Sequence, residues 1–165
     1  MTSIKTEMST KESIAPALGK LSSGVYIATL EYQKEKHGML ATWIAQAAFE
    51  PPMLTISVQT QRDLLRFLSN GTTFSVNALG KKNMDIFKAF AKPLKEGEDR
   101  FADLELLNLS TAGPVFAQAI SYLDCVVKGQ IQAGDHVVIL AEVLAGKLLN
   151  EDEPMLHTRK NGFQY

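Results

Sequence analysis

The chain has 165 residues, of which 45% are hydrophobic and 21% are charged, a composition typical of one globular domain and unlike that of a disordered or fibrous protein. Its 17 basic and 18 acidic side chains leave a formal net charge of −1, so no overall positive field points to nucleic acid or to an anionic membrane. The single cysteine, Cys125, excludes an intrachain disulfide and favours a reducing, cytoplasmic location.

The N-terminal part of the chain changes from polar to apolar within a few residues. Residues 1–11 are polar and predict a flexible tail without a secretory signal, ahead of one predicted domain over residues 12–165. Apolar residues at helical spacing predict a short helix over 13–23. The β-branched and aromatic residues of 25–32, a charged turn and the apolar stretch 38–49 predict two strands of a hairpin.

The rest of the chain adds strands with only short helices between them. Pro51 and Pro52 cannot continue a hydrogen-bonded ladder, so they end the second strand. The elements predicted after them are a strand over 53–59, a helix over 61–69, a strand over 72–79, a helix over 84–90, a long polar loop over 92–113, and strands over 121–133 and 137–148. Six or so strands without regular strand–helix alternation predict a mainly β protein, a closed antiparallel barrel with helical insertions.

Several common functional motifs are missing. Neither Gly-x-Gly-x-x-Gly nor the glycine-rich loop of P-loop proteins occurs, so a nucleotide would have to be held in another way. His37, His136 and His157 lie too far apart in sequence to form a local metal motif, so no metal site is predicted. Cys125 lies in an apolar strand, where a thiol is usually inert. The apolar run 137–146 is too short to span a membrane as a helix.

One part of the chain carries motifs in a recognisable order. Residues 38–52 read GMLATWIAQAAFEPP, and QRD at 61–63 and FSVN at 74–77 follow. Supporting pieces are GVYIAT at 24–29, DRF at 99–101, GDH at 134–136 and the closing Tyr165. In this order the motifs resemble the flavin reductase-like, FMN-binding split-barrel family over residues 18–165. They are especially similar to the module at the C-terminal end of diflavin flavodiiron proteins.

This resemblance implies a fold, an activity and partners. The implied fold is a six-stranded antiparallel split β-barrel with short helical insertions, acting as a homodimer. The implied activity is that of an NAD(P)H:flavin reductase, which transfers hydride from NADH or NADPH to FMN, or to FAD. Two alternatives stay open: an FMN-binding electron-transfer module that receives electrons from a redox protein partner, and a flavin-free split barrel that serves as an interaction or heme-binding domain.

A flavin requires a flat apolar slot, polar groups along the edge of its ring and positive potential at its phosphate. The small residues Ala41 and Thr42 allow close approach of the backbone to a ring, whereas Arg62 could pair with phosphate. Trp43 could lie beside the ring or in the core, and His136 fits a place near the nicotinamide as well as a turn. The predicted cofactor-binding residues are Leu40, Ala41, Thr42, Trp43, Ser57, Val58, Gln59, Arg62, Phe101, His136 and Tyr165.

The roles predicted at the edges of this site are less specific. Phe101 and Tyr165 could cover the flavin ring or could simply pack against the protein. Arg100 fits a surface charge better than a phosphate contact. Hydride transfer between a nicotinamide and a flavin needs no protein acid or base, so no catalytic side chain is predicted, with His136 the one candidate.

Overall fold

The computed structural model describes residues 11–165. The predicted tail, residues 1–11, lies outside the described residues except for Lys11, which begins the first helix. The elements are α1 (Lys11–Gly19), β1 (Ser23–Gly24), β2 (Tyr26–Tyr32), β3 (Glu35–Ala41), β4 (Ile44–Ala48), β5 (Met53–Gln59), a 3₁₀ helix (Asp63–Phe67), β6 (Thr73–Ala78), α2 (Met84–Ala91), β7 (Ser121–Ala133), β8 (His136–Leu148) and β9 (Leu156–His157).

The described residues form two compact units. The smaller unit combines residues 11–23 with residues 156–165. Within it, the backbone N–H of Arg159 donates to the carbonyl oxygen of Gly19 at 3.1 Å, and that of Gly162 donates to the carbonyl oxygen of Ala15 at 2.7 Å. The first helix therefore ends at Gly19, four residues before its predicted end, because the Gly19 carbonyl bonds to the C-terminal segment.

The larger unit, residues 24–155, contains a seven-stranded antiparallel sheet in the order β3-β2-β6-β7-β8-β5-β4. The predicted strands over 53–59 and 121–133 are confirmed at both ends. Gln33 and Lys34 form the tight β2–β3 turn with φ angles of 51° and 67°, values that twist a two-residue turn to match its flanking strands.

The structure corrects the predicted strand count and barrel closure. The predicted strand over 38–49 is two strands, β3 and β4, interrupted at Thr42 and Trp43, so the sheet has seven strands and not six. Among residues 11–165, β3 pairs with β2 and β4 pairs with β5, and no ladder joins β3 to β4. The closed barrel is thus not confirmed, because the two halves of the predicted strand pair with different neighbours.

The break between β3 and β4 nevertheless holds the two edges of the sheet close together. Thr42 and Trp43 are the only residues between Ala41 and Ile44. An extended chain spans at most about 3.6 Å per residue, so three steps cover no more than about 11 Å. The sheet must therefore curl until its first and last strands approach each other at this end.

The sheet buries apolar side chains on both faces. One core cluster includes Ala28, Leu30 and the large ring of Phe74, and a second includes Ile27 with the buried face of α2. Successive residues of β2 point to opposite faces, so this strand is buried on both sides. That double burial explains why β2 reads as an almost continuous apolar run.

The segment after β5 differs from the predicted helix over 61–69. Only Asp63–Phe67 is helical, and the helix is of the 3₁₀ type. The N–H of Leu65 donates to the carbonyl of Arg62 and the N–H of Leu68 donates to the carbonyl of Leu65, each bond reaching back three residues and not four. No helix among the described residues is long and apolar enough to cross a membrane.

Buried polar side chains attach the end of the long 92–113 loop to the sheet. The Asn77 amide donates to the carbonyl oxygens of Ile27 (3.3 Å) and Pro114 (3.1 Å), while its own oxygen accepts from the N–H of Phe116 at 3.1 Å. The Thr29 hydroxyl donates to the same Pro114 carbonyl at 2.7 Å. Asn77 therefore satisfies backbone groups both of β2 and of the segment that follows the long loop.

We expect Asn77→Ala to lower the free energy of unfolding by about 2–3 kcal/mol, because it leaves buried backbone groups without partners. Urea unfolding followed by circular dichroism measures this loss. The matched control is Asn108→Ala, an exposed position in the long loop, which should change stability by less than about 0.5 kcal/mol. Equal stabilities of the two variants would contradict the assigned role of Asn77.

Candidate functional site

The break between β3 and β4 contains an unsatisfied polar group. Thr42 is only 8% exposed, and its hydroxyl oxygen is buried without a hydrogen-bond partner among the described residues. The adjacent backbone is fixed, because the N–H of Ser57 donates to the carbonyl oxygen of Trp43 at 3.0 Å. Buried polar groups in native proteins usually have partners, so the Thr42 hydroxyl fits a position where a ligand supplies one.

Strand β5 runs beside this break and presents polar side chains on one face. Ser57 and Gln59 are half-buried, whereas Val58 between them is 1% exposed and belongs to the first core cluster. The alternation follows from strand geometry, which points successive side chains to opposite faces. The predicted residues Ser57 and Gln59 therefore share one face, and Val58 can meet a ligand only through its backbone.

The predicted residues Trp43 and His136 come together. Their ring centroids lie 4.9 Å apart with a tilt of 35°, and His136 is paired with Gln59 across the β5–β8 ladder. The His136 Nδ1 donates to the Asp135 carboxylate at 2.7 Å, which fixes the ring orientation. This hydrogen bond from His136 also holds the pKa of the Asp135 carboxyl below its ordinary value.

A cavity of about 430 Å³ opens at the end of β5, and we call it the basic cavity. It is lined by segments of β3, the 3₁₀ helix, α2 and the long loop, with Leu40 among the lining residues. The charged side chains along it are Arg62, Arg66, Arg100 and Asp63. The chain that leaves β5 enters this cavity, since Gln61 and Arg62 line it and the backbone N–H of Arg62 donates to the Gln59 carbonyl at 2.9 Å.

Arg100 belongs to this cavity, although its sequence context fits a surface charge. Its guanidinium donates to the Lys92 carbonyl at 2.6 Å and lies over the Phe90 ring, 5.7 Å from the centroid. Burial lowers the pKa of the Arg100 guanidinium, and the positive charge of Arg62 acts in the same direction while Glu98 opposes both. Arg62 and Arg100 are therefore close enough to repel each other.

Three other predicted residues lie either in a core cluster or in the smaller unit. Ala41 is buried in the first core cluster. Phe101 is 6% exposed and stacks on Phe116 at 5.8 Å, which gives it a packing role in the second cluster. Tyr165 is about half exposed and belongs to the smaller unit, where it lines a separate cavity of about 280 Å³. The roles of Phe101 and Tyr165 as ring covers stay predictions.

Two lining residues of the basic cavity, His37 and Arg66, were absent from the predicted site. The Nε2 atom of His37 is buried without a hydrogen-bond partner, with the Glu35 carboxylate 3.9 Å away. Arg66 lies over the Phe67 ring at 4.7 Å. Arg66 follows Arg62 by four positions, about one turn of the α-helix predicted over 61–69, so that prediction could have indicated it. Nothing local in the sequence singles out His37.

Comparison with known proteins gives matches along nearly the whole chain. The model of the family described as "Flavin reductase like domain" matches residues 18–164. Diflavin flavoprotein A 1 of Synechocystis sp. is 33% identical over 164 residues, which cover 98% of this chain but 29% of that protein. The chain thus spans less than a third of the length of this curated relative.

Solved structures of flavin reductases have the same fold. An NADH:FAD oxidoreductase of Streptomyces globisporus, SgcE6, is 25% identical with a TM-score of 0.79, covering 87% of this chain and 85% of that one. Flavin reductase PheA2 is 26% identical with a TM-score of 0.75, covering 87% of this chain and 90% of that one. The resemblance inferred from the ordered motifs is confirmed.

The surroundings of Cys125 predict an unreactive thiol. Its side chain is fully buried in β7, and burial raises the pKa of the thiol to about 12, with the nearby Asp124 charge adding to the effect. At pH 8 only about one thiol in ten thousand would be ionised. We expect no labelling by a thiol-reactive dye in the native protein and one equivalent of labelling in urea. Native labelling at the rate of free cysteine would contradict this placement.

Proposed function

Because the chain belongs to the flavin reductase-like domain family, we propose that it binds FMN and transfers hydride to it from a reduced nicotinamide. One observation carries the proposal. The unpartnered Thr42 hydroxyl lies in the break that the hydrogen bond from the Ser57 N–H to the Trp43 carbonyl sets against β5, and the chain that leaves β5 brings Arg62 to the basic cavity. In this order, the groups match the requirements of FMN, which are hydrogen-bond partners at the ring edge and positive charge at the phosphate.

The ring end of the proposed site lies at the break between β3 and β4. Thr42 would hydrogen-bond to the polar edge of the ring, and the side chains of Ser57 and Gln59 would add further hydrogen bonds along it. Trp43, held against His136, would form an apolar wall. Val58 would contribute through its backbone, and Leu40 and Ala41 would contribute through the backbone or form the floor of the flavin slot.

The phosphate end of the proposed site is Arg62. It lines the basic cavity three residues after Gln59. A guanidinium can donate two parallel hydrogen bonds to a phosphate. Arg62 precedes the 3₁₀ helix in an extended conformation, with φ −77° and ψ 129°. A phosphate on Arg62 would therefore be bound by side-chain charge and not by the end of a helix.

The chemistry expected of the protein in this site is positioning. A bound flavin supplies the capacity to accept a hydride, so the chain needs to hold two flat rings in contact and to exclude water. The rigid pair of Trp43 and His136 suits that purpose, because the Asp135 carboxylate fixes the imidazole. His136 is proposed as a positioning residue near the nicotinamide.

A second candidate function is electron transfer without nicotinamide turnover. It is favoured by the relative named a diflavin flavoprotein, of which this chain covers 29%. In a longer protein of that kind, a redox protein or another domain could supply the electrons. A third candidate, a flavin-free interaction or heme-binding domain, would leave the Thr42 hydroxyl without a ligand partner.

We also propose that the chain forms a homodimer. Within residues 11–165, strand β4 pairs only with β5, which leaves its other side unpaired, and an apolar cavity of about 330 Å³ lies beside it. Phe49, at the end of β4, is 88% exposed. Free strand edges and exposed apolar rings are commonly covered by a partner. Light scattering should then give about twice the 18.1 kDa mass of the chain.

A visible spectrum separates the three candidate functions. We expect the purified protein, supplied with FMN, to be yellow and to lose its yellow colour when NADH or NADPH is added without oxygen. Binding without bleaching would favour the electron-transfer module. A protein that takes up neither FMN nor FAD would refute flavin binding. Trp43 is the single tryptophan, so quenching of its fluorescence by FMN gives an independent measure of binding at this site.

Removal of the proposed phosphate contact should weaken FMN binding. We expect Arg62→Ala to cost about 1.5–3 kcal/mol, roughly a 10- to 150-fold rise in Kd, since a charge-assisted hydrogen bond is lost. Arg62→Lys keeps the charge but not the paired hydrogen bonds, so its Kd for FMN should lie between those of the wild type and Arg62→Ala. The exposed Lys147→Ala serves as the charge-removal control. An unchanged Kd for Arg62→Ala would remove Arg62 from the site.

A further inference from the structure

The curled sheet leaves a cavity where its last strand, β4, has no second neighbour. Among residues 11–165, β4 pairs with β5 alone. A cavity of about 330 Å³ lies beside it, and we call it the apolar cavity. Every strand of the seven-stranded sheet except β3 contributes to its lining. Its volume exceeds the packing gaps of ordinary protein interiors, which rarely have room for more than a water molecule.

The walls of the apolar cavity favour a neutral, apolar ligand. Leu54 and Val76 belong to the first core cluster, and Ile44, Leu123 and Val143 pack against that cluster. Within the described part of the chain, no charged side chain lines this cavity. Transfer of a phosphate from water to such surroundings would be unfavourable, so the nucleotide cofactors do not fit here. An aromatic ring does fit, since an engineered apolar cavity of about 150 Å³ binds benzene.

Tyr26 adds a polar group to this lining. Its ring lies over Gly24, where any side chain would overlap the phenol, so the glycine allows this orientation. Between residues 11 and 165 the Tyr26 hydroxyl has no hydrogen-bond partner, and burial raises its pKa. The hydroxyl therefore stays protonated at neutral pH and can both donate and accept a hydrogen bond. Ser121 brings a second hydroxyl to the lining.

We propose that the apolar cavity binds a small aromatic molecule that carries one hydroxyl or carbonyl oxygen, with the ring on the core cluster and the oxygen at Tyr26. The competing occupant is the exposed Phe49 ring of a second copy, but a phenyl ring has no oxygen or nitrogen to pair with the Tyr26 hydroxyl. The proposed flavin site is separate. Leu54 lines the apolar cavity, whereas Ser57, three residues later on β5, belongs to the opposite face.

Fluorine NMR with 4-fluorophenol and fluorobenzene tests this site, because the two probes differ by one hydroxyl. We expect both to bind to the full chain without flavin. Tyr26→Phe keeps the ring and should raise the Kd of 4-fluorophenol about two- to tenfold, as expected for one lost neutral hydrogen bond. The Kd of fluorobenzene should change less than about twofold. Equal effects on both probes, or no binding of either, would overturn the proposal.

A substitution that fills the cavity tests the location of the probes. Ala78 is half-buried and lines the cavity, so Ala78→Leu should raise both Kd values about tenfold or more by occupying the space. Ala47→Leu adds the same side chain at an exposed position of β4 outside the lining and should change neither. Unchanged probe binding in Ala78→Leu would overturn the proposal. If Ala78→Leu lowers the melting temperature, the Tyr26→Phe comparison decides.

Two further measurements separate this site from the others. Excess FMN should leave both probe Kd values unchanged, and displacement of the probes by FMN would place them in the flavin site and overturn the proposal. Probe binding that appears only in Phe49→Ser, with a fall to the monomer mass, would show that a second copy fills the cavity and would also overturn it. Probe binding in a protein that takes up no FMN would support this site and refute the proposed function.

Discussion

Two residues, Thr42 and Trp43, impose the constraint on which the rest of the larger unit depends. They connect β3 and β4, strands at opposite ends of the seven-stranded order, and a link so short forces the sheet to curl. The hydrogen bond from the Ser57 N–H to the Trp43 carbonyl then sets the link against β5. The candidate site lies at this break because the strand pairing is interrupted there, which leaves polar groups that the ladder does not use.

Strands with a regular pattern could be predicted from sequence, and the break could not. The alternation in Met53–Gln59 and the turn at Gly134 indicate local geometry, which neighbouring residues largely determine. The stretch 38–49 is mostly apolar, and its division depends on which strands it pairs with. Pairing partners lie far away along the chain: Leu40 pairs with Ile27, whereas Ile44 pairs with Ile56. Periodicity carries no information about that choice.

The same distinction applies to the site residues. The placement of Ser57, Gln59 and Arg62 close together could be predicted, because they lie on one strand and the turn that follows it, whereas their role as cofactor-binding residues stays a prediction. Arg100 enters the basic cavity through the long loop, whose far end is attached to the sheet by Asn77 and Thr29. Phe101, one residue later, packs in the second core cluster. Tertiary packing thus places Arg100 at the cavity and Phe101 in the core, and no local sequence pattern distinguishes the two positions.

The fold stabilises a charge arrangement that is unfavourable by itself. Burial disfavours the Arg100 cation and the like charge of Arg62 adds to this effect, while Glu98 opposes both. Packing of α2 and the long loop holds the groups there, since Phe90 is both a core residue and the surface under Arg100. The convergence of Arg62 and Arg100 on one cavity, past the end of the strand that carries Ser57 and Gln59, is consistent with the phosphate that we propose for Arg62.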